Sequence, residues 1–351
     1  MIDETKLETF VGQVVGDMAA AMAGLLTHLG DRLGLFRAMA DGEPVTPGEL
    51  AKRTRTAERY VREWLSAQAA GGYVTYDPST GRFTLPLEHA MVLADEDSPV
   101  FLAGGMDGVA STYSDYEKFE DAFRTGRGVG WHEHDHRLFH GTERFFRPGY
   151  RANLVQSWLP ALDGVTAKLE NGATVADVGC GHGASTIVLA QAFANARCVG
   201  FDYHDASIVA ARKAAADAGV AQNCTFQVAS AKEFPGSGYD VICFFDCLHD
   251  MGDPVGALRH ARQAIADDGT VLLVEPFAGD KLEDNLNVVG RAFYSFSTVI
   301  CTPASLSQEV GLGLGAQAGE ARWREIFNDA GFTRFRRATE TPFNLVLEGR
   351  P

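Results

Sequence analysis

A glycine-rich turn constrains this chain more than any other stretch. The short apolar run 174–178 breaks at Gly179, and a helical pattern of apolar residues begins at Ser185. This order predicts a buried parallel strand, a tight turn and a helix. Three alternating glycines in the turn can take positive φ and lack a Cβ, so a ligand can approach the backbone closely. The helix N-terminus adds unpaired N–H donors. The turn therefore predicts a site for a small-molecule cofactor.

Strand-like and helix-like segments alternate through the rest of the C-terminal half. Four more strands are predicted at 199–202, 224–228, 239–246 and 270–275, with helices between them and two closing strands near Phe335 and Asn344. Alternation of this kind predicts an α/β fold with a doubly wound sheet.

Two cofactor classes fit the turn. Its glycines also match the dinucleotide pattern G-x-G-x-x-G/A, and Asp202 stands about 20 residues later, where a ribose-binding acid is expected. However, Asp177 lies two residues before the first glycine, where a carboxylate would repel a pyrophosphate but could hold a cationic amino group. A nicotinamide-dependent oxidoreductase is therefore kept as the alternative.

The string Val-Ala-Asp-Val-Gly-Cys-Gly-His-Gly resembles the first motif of class I S-adenosylmethionine-dependent methyltransferases. The resemblance covers roughly residues 154–350, with the motifs in the expected order. It implies a Rossmann-like sheet of seven strands whose last strand is antiparallel, and S-adenosyl-L-methionine as the cofactor. The residues that would bind this cofactor are Asp177, Gly179, Cys180, Gly181, Gly183, Asp202, Tyr203, Ser230, Ala231, Phe245 and Asp246.

The candidate catalytic group lies in a predicted exposed turn directly after the strand at 239–246. Histidine titrates near neutral pH and can take a proton from a hydroxyl within hydrogen-bond reach. Plant-type O-methyltransferases have Leu-x-His-Asp-Trp at this point, and this chain keeps the His-Asp pair but has Met251 in place of the Trp. The resemblance implies that His249 is the general base and that Glu275 orients it. The alternatives are that His249 caps the next helix or lines the pocket.

The N-terminal part predicts a mostly helical winged-helix domain over residues 1–94. A long helix over 7–29 is apolar on more than one face, which favours a second subunit as its partner. A short helix is predicted at 33–39, a capped helix from Thr46, another over 56–70, and a hairpin over 73–85. Small-molecule O-methyltransferases, including those of the mycobacterial type that the whole layout resembles, carry such a domain for dimerisation.

A winged helix also raises the possibility of a DNA-binding regulator. From Glu43 to Glu88 six Lys and Arg face six Asp and Glu, and the whole chain carries a net charge of −15. Phosphate contacts need a basic footprint. We therefore expect no nucleic-acid partner and keep the regulator as a second alternative.

Residues 95–153 form a predicted helical connector and pocket lid that contains Trp-His-Glu-His-Asp-His. The histidines His132, His134 and His136 could ligate a metal, line the acceptor pocket or simply be solvated. No metal is assigned to the site. Residues 285–307, rich in aromatic side chains, are predicted to roof the pocket, with Asn287 and Arg291 as polar handles.

Composition sets the remaining expectations. No uninterrupted apolar run approaches the 18 or so residues of a membrane span, the N-terminus is acidic, and the six cysteines include no C-x-x-C pair. We therefore expect a cytoplasmic homodimer without a membrane partner. In it, residues 154–351 bind the cofactor and transfer its methyl group to a small, aromatic or apolar acceptor, with O-methylation favoured.

Overall fold

The computed structural model describes all 351 residues. The chain divides into two compact units, Met1–Tyr113 with His136–Pro148, and Ser114–Asp135 with Gly149–Pro351. The helices are α1 Glu4–Arg32, α2 Pro47–Thr54, α3 Glu58–Ala70, α4 Leu87–Leu93, α5 Gly105–Ser114, α6 Tyr116–Thr125, α7 Arg137–Asn153, α8 Val165–Glu170, α9 Ala184–Ala192, α10 Asp205–Asp217, α11 Pro254–Ala264, α12 Val288–Phe296, α13 Thr302–Leu306 and α14 Glu320–Asp329. The strands are β1 Thr75–Asp77, β2 Arg82–Thr84, β3 Thr174–Val178, β4 Arg197–Asp202, β5 Cys224–Val228, β6 Tyr239–Phe245, β7 Ile265–Pro276, β8 Arg334–Glu340 and β9 Asn344–Arg350.

The first unit contains the predicted winged helix. Thr46 caps α2 in a reciprocal capping box with Glu49, and β1 pairs antiparallel with β2. The predicted helix over 33–39 is wrong. Only one helical turn forms, at Arg37–Met39, because Gly34 takes a φ of 69° and interrupts the chain after α1.

Helix α1 packs on its own unit only near its C-terminal end. The Trp64 indole donates a hydrogen bond of 2.8 Å to the carbonyl of Leu26, and a Cβ on Gly30 would come within 2.6 Å of the Trp64 ring. Farther toward the N-terminus the apolar side chains are exposed: Leu7, Phe10, Val11, Val14, Val15, Met18, Met22 and Leu25. The long apolar helix that the sequence predicts is therefore present, and much of it has no partner within the chain.

By length and composition α1 could also cross a membrane. It has 29 residues, and its most apolar 18-residue window has a mean hydropathy of 1.4 with none of that window buried. No apolar run of 18 residues occurs in α1, as predicted, because polar residues such as Gln13 and Asp17 interrupt it.

The second unit is built on a seven-stranded sheet of order β5-β4-β3-β6-β7-β9-β8. Strands β3 to β7 are parallel, whereas β9 lies antiparallel between β7 and β8. The predicted antiparallel last strand is thus confirmed. The antiparallel β9 sets this sheet apart from the 3-2-1-4-5-6 order of dinucleotide-binding folds.

Strand β7 begins at Ile265, earlier than the predicted Thr270. Ile265 pairs with Tyr239, and a register shift follows between Tyr239 and Val241 before regular pairing resumes at Thr270. The segment that the sequence indicates as a turn, around Gly269, is therefore an irregularity inside a longer strand. Gly269 is needed there because a Cβ would lie 2.9 Å from the Tyr239 carbonyl oxygen.

Parallel pairing brings the carboxyl ends of β3, β4, β6 and β7 to one edge of the sheet. Ligands bind at this edge in doubly wound folds. Asp177, Asp202, Asp246 and Glu275 lie at these strand ends, at positions far apart in the sequence.

Candidate functional site

The turn between β3 and α9 forms an open backbone cradle. The amides of Gly179 and Cys180 donate to the Phe201 carbonyl at 2.8 and 3.0 Å, which fixes the turn against β4. Gly181 has a φ of 52°, and nothing lies within 4 Å of the place where a Cβ would stand. That free space is what a ligand resting on the backbone requires.

Packing requires a glycine at position 183. Its φ is 82°, and a Cβ there would lie 2.6 Å from the Phe226 ring and 3.1 Å from the Ala211 side chain. Gly219 has a similar φ of 71° but nothing within 4 Å of its Cβ position. The two positions therefore differ in crowding and share the backbone conformation.

We expect Gly183→Ala to lower the free energy of unfolding by about 1–3 kcal/mol more than Gly219→Ala does, because only the first substitution overpacks the core. Chemical denaturation of the two variants side by side measures this difference. Equal losses would show that strained backbone alone explains the glycine at position 183.

Asp177 is a buried carboxylate with one unused oxygen. Its Oδ2 accepts the hydroxyls of Ser185 and Thr186, both at 2.6 Å. Its Oδ1 is buried and accepts no hydrogen bond. Burial raises the pKa of this carboxyl to about 6. A buried acceptor without a donor is costly, so Oδ1 suits a ligand that brings N–H donors and positive charge, such as an ammonium group.

Asp202 lies beside the glycine cradle at the end of β4. Its Oδ2 accepts the Gly181 amide at 2.9 Å and its Oδ1 accepts the His204 amide at 2.8 Å. Burial raises the pKa of this carboxyl. Each oxygen keeps a lone pair for a hydroxyl donor, so the pair of ribose hydroxyls that the sequence assigns to Asp202 fits.

The residues predicted to border an adenine are brought to the same place. Tyr203 follows Asp202 and is about half exposed, at 47%. Ser230 and Ala231 come after β5, where the Ala229 amide donates to the Asp202 carbonyl at 3.0 Å. The chain therefore passes Asp202 just before Ser230 and Ala231, and their contact with an adenine stays a prediction.

Asp246 has partners that the sequence did not indicate. Tyr150 donates its hydroxyl to Oδ2 and Asn344 donates its amide to Oδ1, both at 3.1 Å. Burial, and then the charge of Glu275, raise the pKa of Asp246 to about 8, and its φ is 50°. The ring of Phe245 lies 5.4 Å from the Tyr150 ring. Tyr150 and Asn344 were missed because nothing in their local sequence distinguishes them; only the fold brings them to this edge.

His249 and Glu275 form a buried pair at the ends of β6 and β7. Glu275 Oε2 binds His249 Nδ1, while Oε1 accepts the amides of Leu248 and His249 at 3.1 and 3.3 Å. Asp250 Oδ1 lies 3.1 Å from His249 Nε2. Burial lowers the pKa of this imidazole, but the Glu275 and Asp250 carboxylates outweigh it and raise the pKa well above its usual value. The predicted pairing of His249 with Glu275 is therefore present in the structure.

The histidines of the connector face different surroundings. His134 is buried, and its Nδ1 lies 3.2 Å from Asp115 Oδ2. The other oxygen of this carboxylate, Oδ1, accepts a hydrogen bond of 2.7 Å from the Lys118 ammonium group. The His132 ring stands edge-on to Tyr203 at 6.2 Å between centroids, and His136 is exposed. Within the second unit, His132 and His134 therefore contact different partners.

The segment predicted to roof the acceptor pocket contains α12 and α13. Asn287, expected as a polar handle, instead caps α12, since its side-chain oxygen accepts the amides of Val289 and Gly290 at 3.0 and 2.9 Å. Cys301 precedes α13 and lies close to His249 and Asp250.

Two family models match the chain. Residues 169–331 match a model described as a methyltransferase domain, and residues 20–95 match one described as an Rv2258c-like winged HTH domain. No functionally curated protein is similar to the chain at a significant level.

Many solved structures share this fold over the whole chain. A mitomycin 7-O-methyltransferase is 21% identical, with 99% of this chain and 100% of that chain covered and a TM-score of 0.72. Human N-acetylserotonin methyltransferase, solved with S-adenosylmethionine, is 16% identical, with 97% of each chain covered and a TM-score of 0.72. An O-methyltransferase from neocarzinostatin biosynthesis, solved with S-adenosylmethionine and 2-hydroxy-5-methyl naphthoic acid, is 18% identical, covers 93% and 95%, and has a TM-score of 0.63.

Proposed function

Because the chain is a class I S-adenosylmethionine-dependent methyltransferase with an N-terminal winged-helix domain, we propose that it methylates a hydroxyl of a small, aromatic or apolar acceptor. The observation that carries this proposal is the buried His249–Glu275 pair at the sheet edge that also holds the glycine cradle. A general base matters when the nucleophile is a hydroxyl and much less when it is a carboxylate or a thiolate.

When bound, S-adenosylmethionine supplies an electrophilic methyl group on a positively charged sulfur. Asp177 Oδ1 would bind its ammonium group, Gly179, Cys180 and Gly181 would hold the methionine part, and Asp202 would bind the ribose hydroxyls. These contacts hold the reacting groups in position, and positioning alone contributes substantially to the rate of a direct displacement.

In its neutral form, which the raised pKa of His249 favours only at higher pH, the imidazole would take the proton of the acceptor hydroxyl at Nε2. The bond from Nδ1 to Glu275 fixes the ring, and the Glu275 carboxylate stabilises the imidazolium that forms. Two relatives support a hydroxyl acceptor through their names, and one was solved with an aromatic hydroxy acid. The buried rings of Phe245 and Tyr150 pack against each other at the same edge and make this side of the site apolar.

A methyl-acceptor screen tests this function. Purified protein with S-adenosylmethionine is offered matched phenols, aryl amines and aryl carboxylates, and release of S-adenosylhomocysteine is measured. We expect turnover with phenols. Turnover confined to amines or carboxylates would contradict O-methylation while leaving the cofactor assignment intact.

The charges of the winged helix support the absence of a nucleic-acid partner. Arg59 and Arg62 on α3 pair with Glu63 and Glu58, and Arg82 pairs with Glu49 at 2.9 Å. Basic groups neutralised in this way contribute little to phosphate binding. We propose that this domain serves assembly instead of DNA recognition.

We also propose a cytoplasmic homodimer. In it residues 1–94 serve dimerisation, 95–153 act as connector and lid, and 154–351 bind the cofactor. The exposed apolar side chains of α1 form a contiguous surface of the kind that protein partners cover.

We expect the purified protein to stay in the supernatant without detergent and to have twice the chain mass by light scattering. Val14→Asp combined with Met18→Asp should give monomers, because both side chains are exposed on α1. Thr9→Asp combined with Gln13→Asp adds the same charge at exposed polar positions of α1 and should leave the dimer intact. Recovery only from the membrane fraction would contradict the proposal.

A further inference from the structure

Three chemically different ligand groups converge next to the proposed base. His249, Asp250 and Cys301 present a nitrogen, an oxygen and a sulfur that all lie within 4.8 Å of one another. Two of the residues come from the turn after β6, and the third is the last residue of the π-helical segment Ser297–Cys301 that joins α12 to α13. His249 and Cys301 are buried, at 4% and 7% exposure, and Asp250 is partly exposed. The group therefore borders the site and is shielded on one side.

The imidazole is held as a metal ligand would be. Glu275 binds Nδ1, so the ring presents Nε2 to the other two groups. Histidine ligands of metal ions usually donate their second ring nitrogen to a carboxylate or carbonyl, which fixes ring orientation and raises ligand basicity. Glu275 meets this description.

The carboxylate of Asp250 faces the free side of the imidazole. Its Oδ1 is buried and lies 3.1 Å from His249 Nε2, with which it forms an ion pair when the imidazole is protonated. Two ligands that each lie about 2.0–2.2 Å from a tetrahedral zinc ion are separated by about 3.3 Å. The separation of these two atoms is close to that value, so one cation can replace the Nε2 proton between them.

We propose that His249 Nε2, Asp250 Oδ1 and Cys301 Sγ bind one borderline divalent cation, with zinc the best match. Imidazole nitrogen and thiolate sulfur favour zinc over magnesium or calcium, whose sites are built from oxygen alone. When the ion binds, Cys301 loses its thiol proton and protonated His249 loses its Nε2 proton, both to solvent, as the Zn–S and Zn–N bonds form. Three protein ligands leave a fourth position for water or another oxygen ligand.

Cation binding does not depend on the proposed function, but its consequence does. A cation on Nε2 occupies the lone pair that His249 would use to take the acceptor proton. Zinc binding is therefore expected to inhibit turnover of hydroxyl acceptors, with S-adenosylhomocysteine affinity unchanged because the cofactor contacts lie on other residues. Zinc would thus act as an inhibitor at the acceptor side of the site.

Cobalt(II) is the probe that tests the site without any acceptor. Titration of the full-length protein should give a thiolate-to-cobalt charge-transfer band in the near ultraviolet and visible bands of tetrahedral intensity, saturating at one ion per chain. Cys301→Ser should abolish the charge-transfer band, and Asp250→Asn should weaken cobalt binding at least tenfold. Cys224→Ser replaces another buried thiol, in β5, and should leave the spectrum unchanged.

Two outcomes would overturn the proposal: a cobalt spectrum without a thiolate band, or a band that survives Cys301→Ser. X-ray absorption of the zinc-loaded, unaltered protein gives the same answer without a variant, because one sulfur at about 2.3 Å is expected. Calorimetry with S-adenosylhomocysteine on the same samples tests the proposed cofactor site separately from the proposed metal site. Tight binding of that ligand with no cobalt site would refute only the metal site.

Discussion

Asp177→Asn is expected to weaken S-adenosylhomocysteine binding at least 30-fold. The substitution keeps the size of the side chain and an oxygen that can accept the Ser185 and Thr186 hydroxyls. It removes the negative charge that would pair with the ammonium group of the ligand at Oδ1. Loss of one partner of a buried, hydrogen-bonded charge pair costs about 2–5 kcal/mol, and 2 kcal/mol is about a 30-fold change in affinity.

Isothermal titration calorimetry measures this loss, with Asp205→Asn as the matched control. Asp205 is an exposed acid in the first turn of α10, so its replacement changes the net charge equally without touching Asp177. An unchanged dissociation constant for Asp177→Asn would remove Asp177 from the cofactor site.

The same carboxylate makes cofactor affinity depend on pH. In the free protein burial raises the pKa of Asp177 to about 6. Above that pH the carboxylate is charged and attracts the ammonium group; below it the neutral acid does not. S-adenosylhomocysteine affinity should therefore fall as the pH drops from 7 to 5. The Asp177→Asn variant should bind weakly over the whole range, with no such step.

His249→Gln is expected to lower kcat for a phenol acceptor by about 10²–10⁴-fold, the range that general acid–base catalysis contributes. The dissociation constant of S-adenosylhomocysteine should stay within about twofold, because the proposed role concerns only the proton of the acceptor. His140→Gln, at an exposed imidazole of α7, is the control and should keep full activity. The assay is release of S-adenosylhomocysteine with the acceptor that the screen identifies.

A series of phenols separates a base from a merely structural histidine. Acidic phenols ionise without help, so the loss caused by His249→Gln should shrink as the phenol becomes more acidic. Glu275→Gln should show the same trend with a smaller loss, because it leaves the imidazole in place. A uniform loss across the series would assign His249 to acceptor or cofactor positioning.

The glycine turn shows how much of the site can be predicted from local sequence alone. A strand, a turn with alternating glycines and a helix follow from residue types alone, because positive φ and missing Cβ atoms are local requirements. The alternation of strands and helices then predicts a parallel sheet, whose carboxyl ends share one edge. Asp177, Asp202 and Glu275 could be assigned to that edge because each lies at a strand end.

Tertiary structure decided what those side chains meet. Whether Asp177 had an unused oxygen depended on Ser185 and Thr186, and the distinct roles of Gly181 and Gly183 depended on Phe226 in a strand that pairs with β4. Strand β7 gained five residues through a register shift against β6, where pairing overrode a local turn signal around Gly269. The cation-binding group joins positions 249, 250 and 301, which no spacing rule connects.

The sequence by itself determined the kind of fold and the edge of the sheet where a ligand is expected, because these follow from periodicity and glycine positions. The cofactor was assigned through the resemblance of the glycine turn to the first motif of the methyltransferases. Only the tertiary structure decided the chemical environment of each site residue. Burial, hydrogen-bond partners and pKa depend on neighbours that are distant in the chain. The opposite surroundings of His134, held by Asp115, and His249, held between two carboxylates, illustrate the difference.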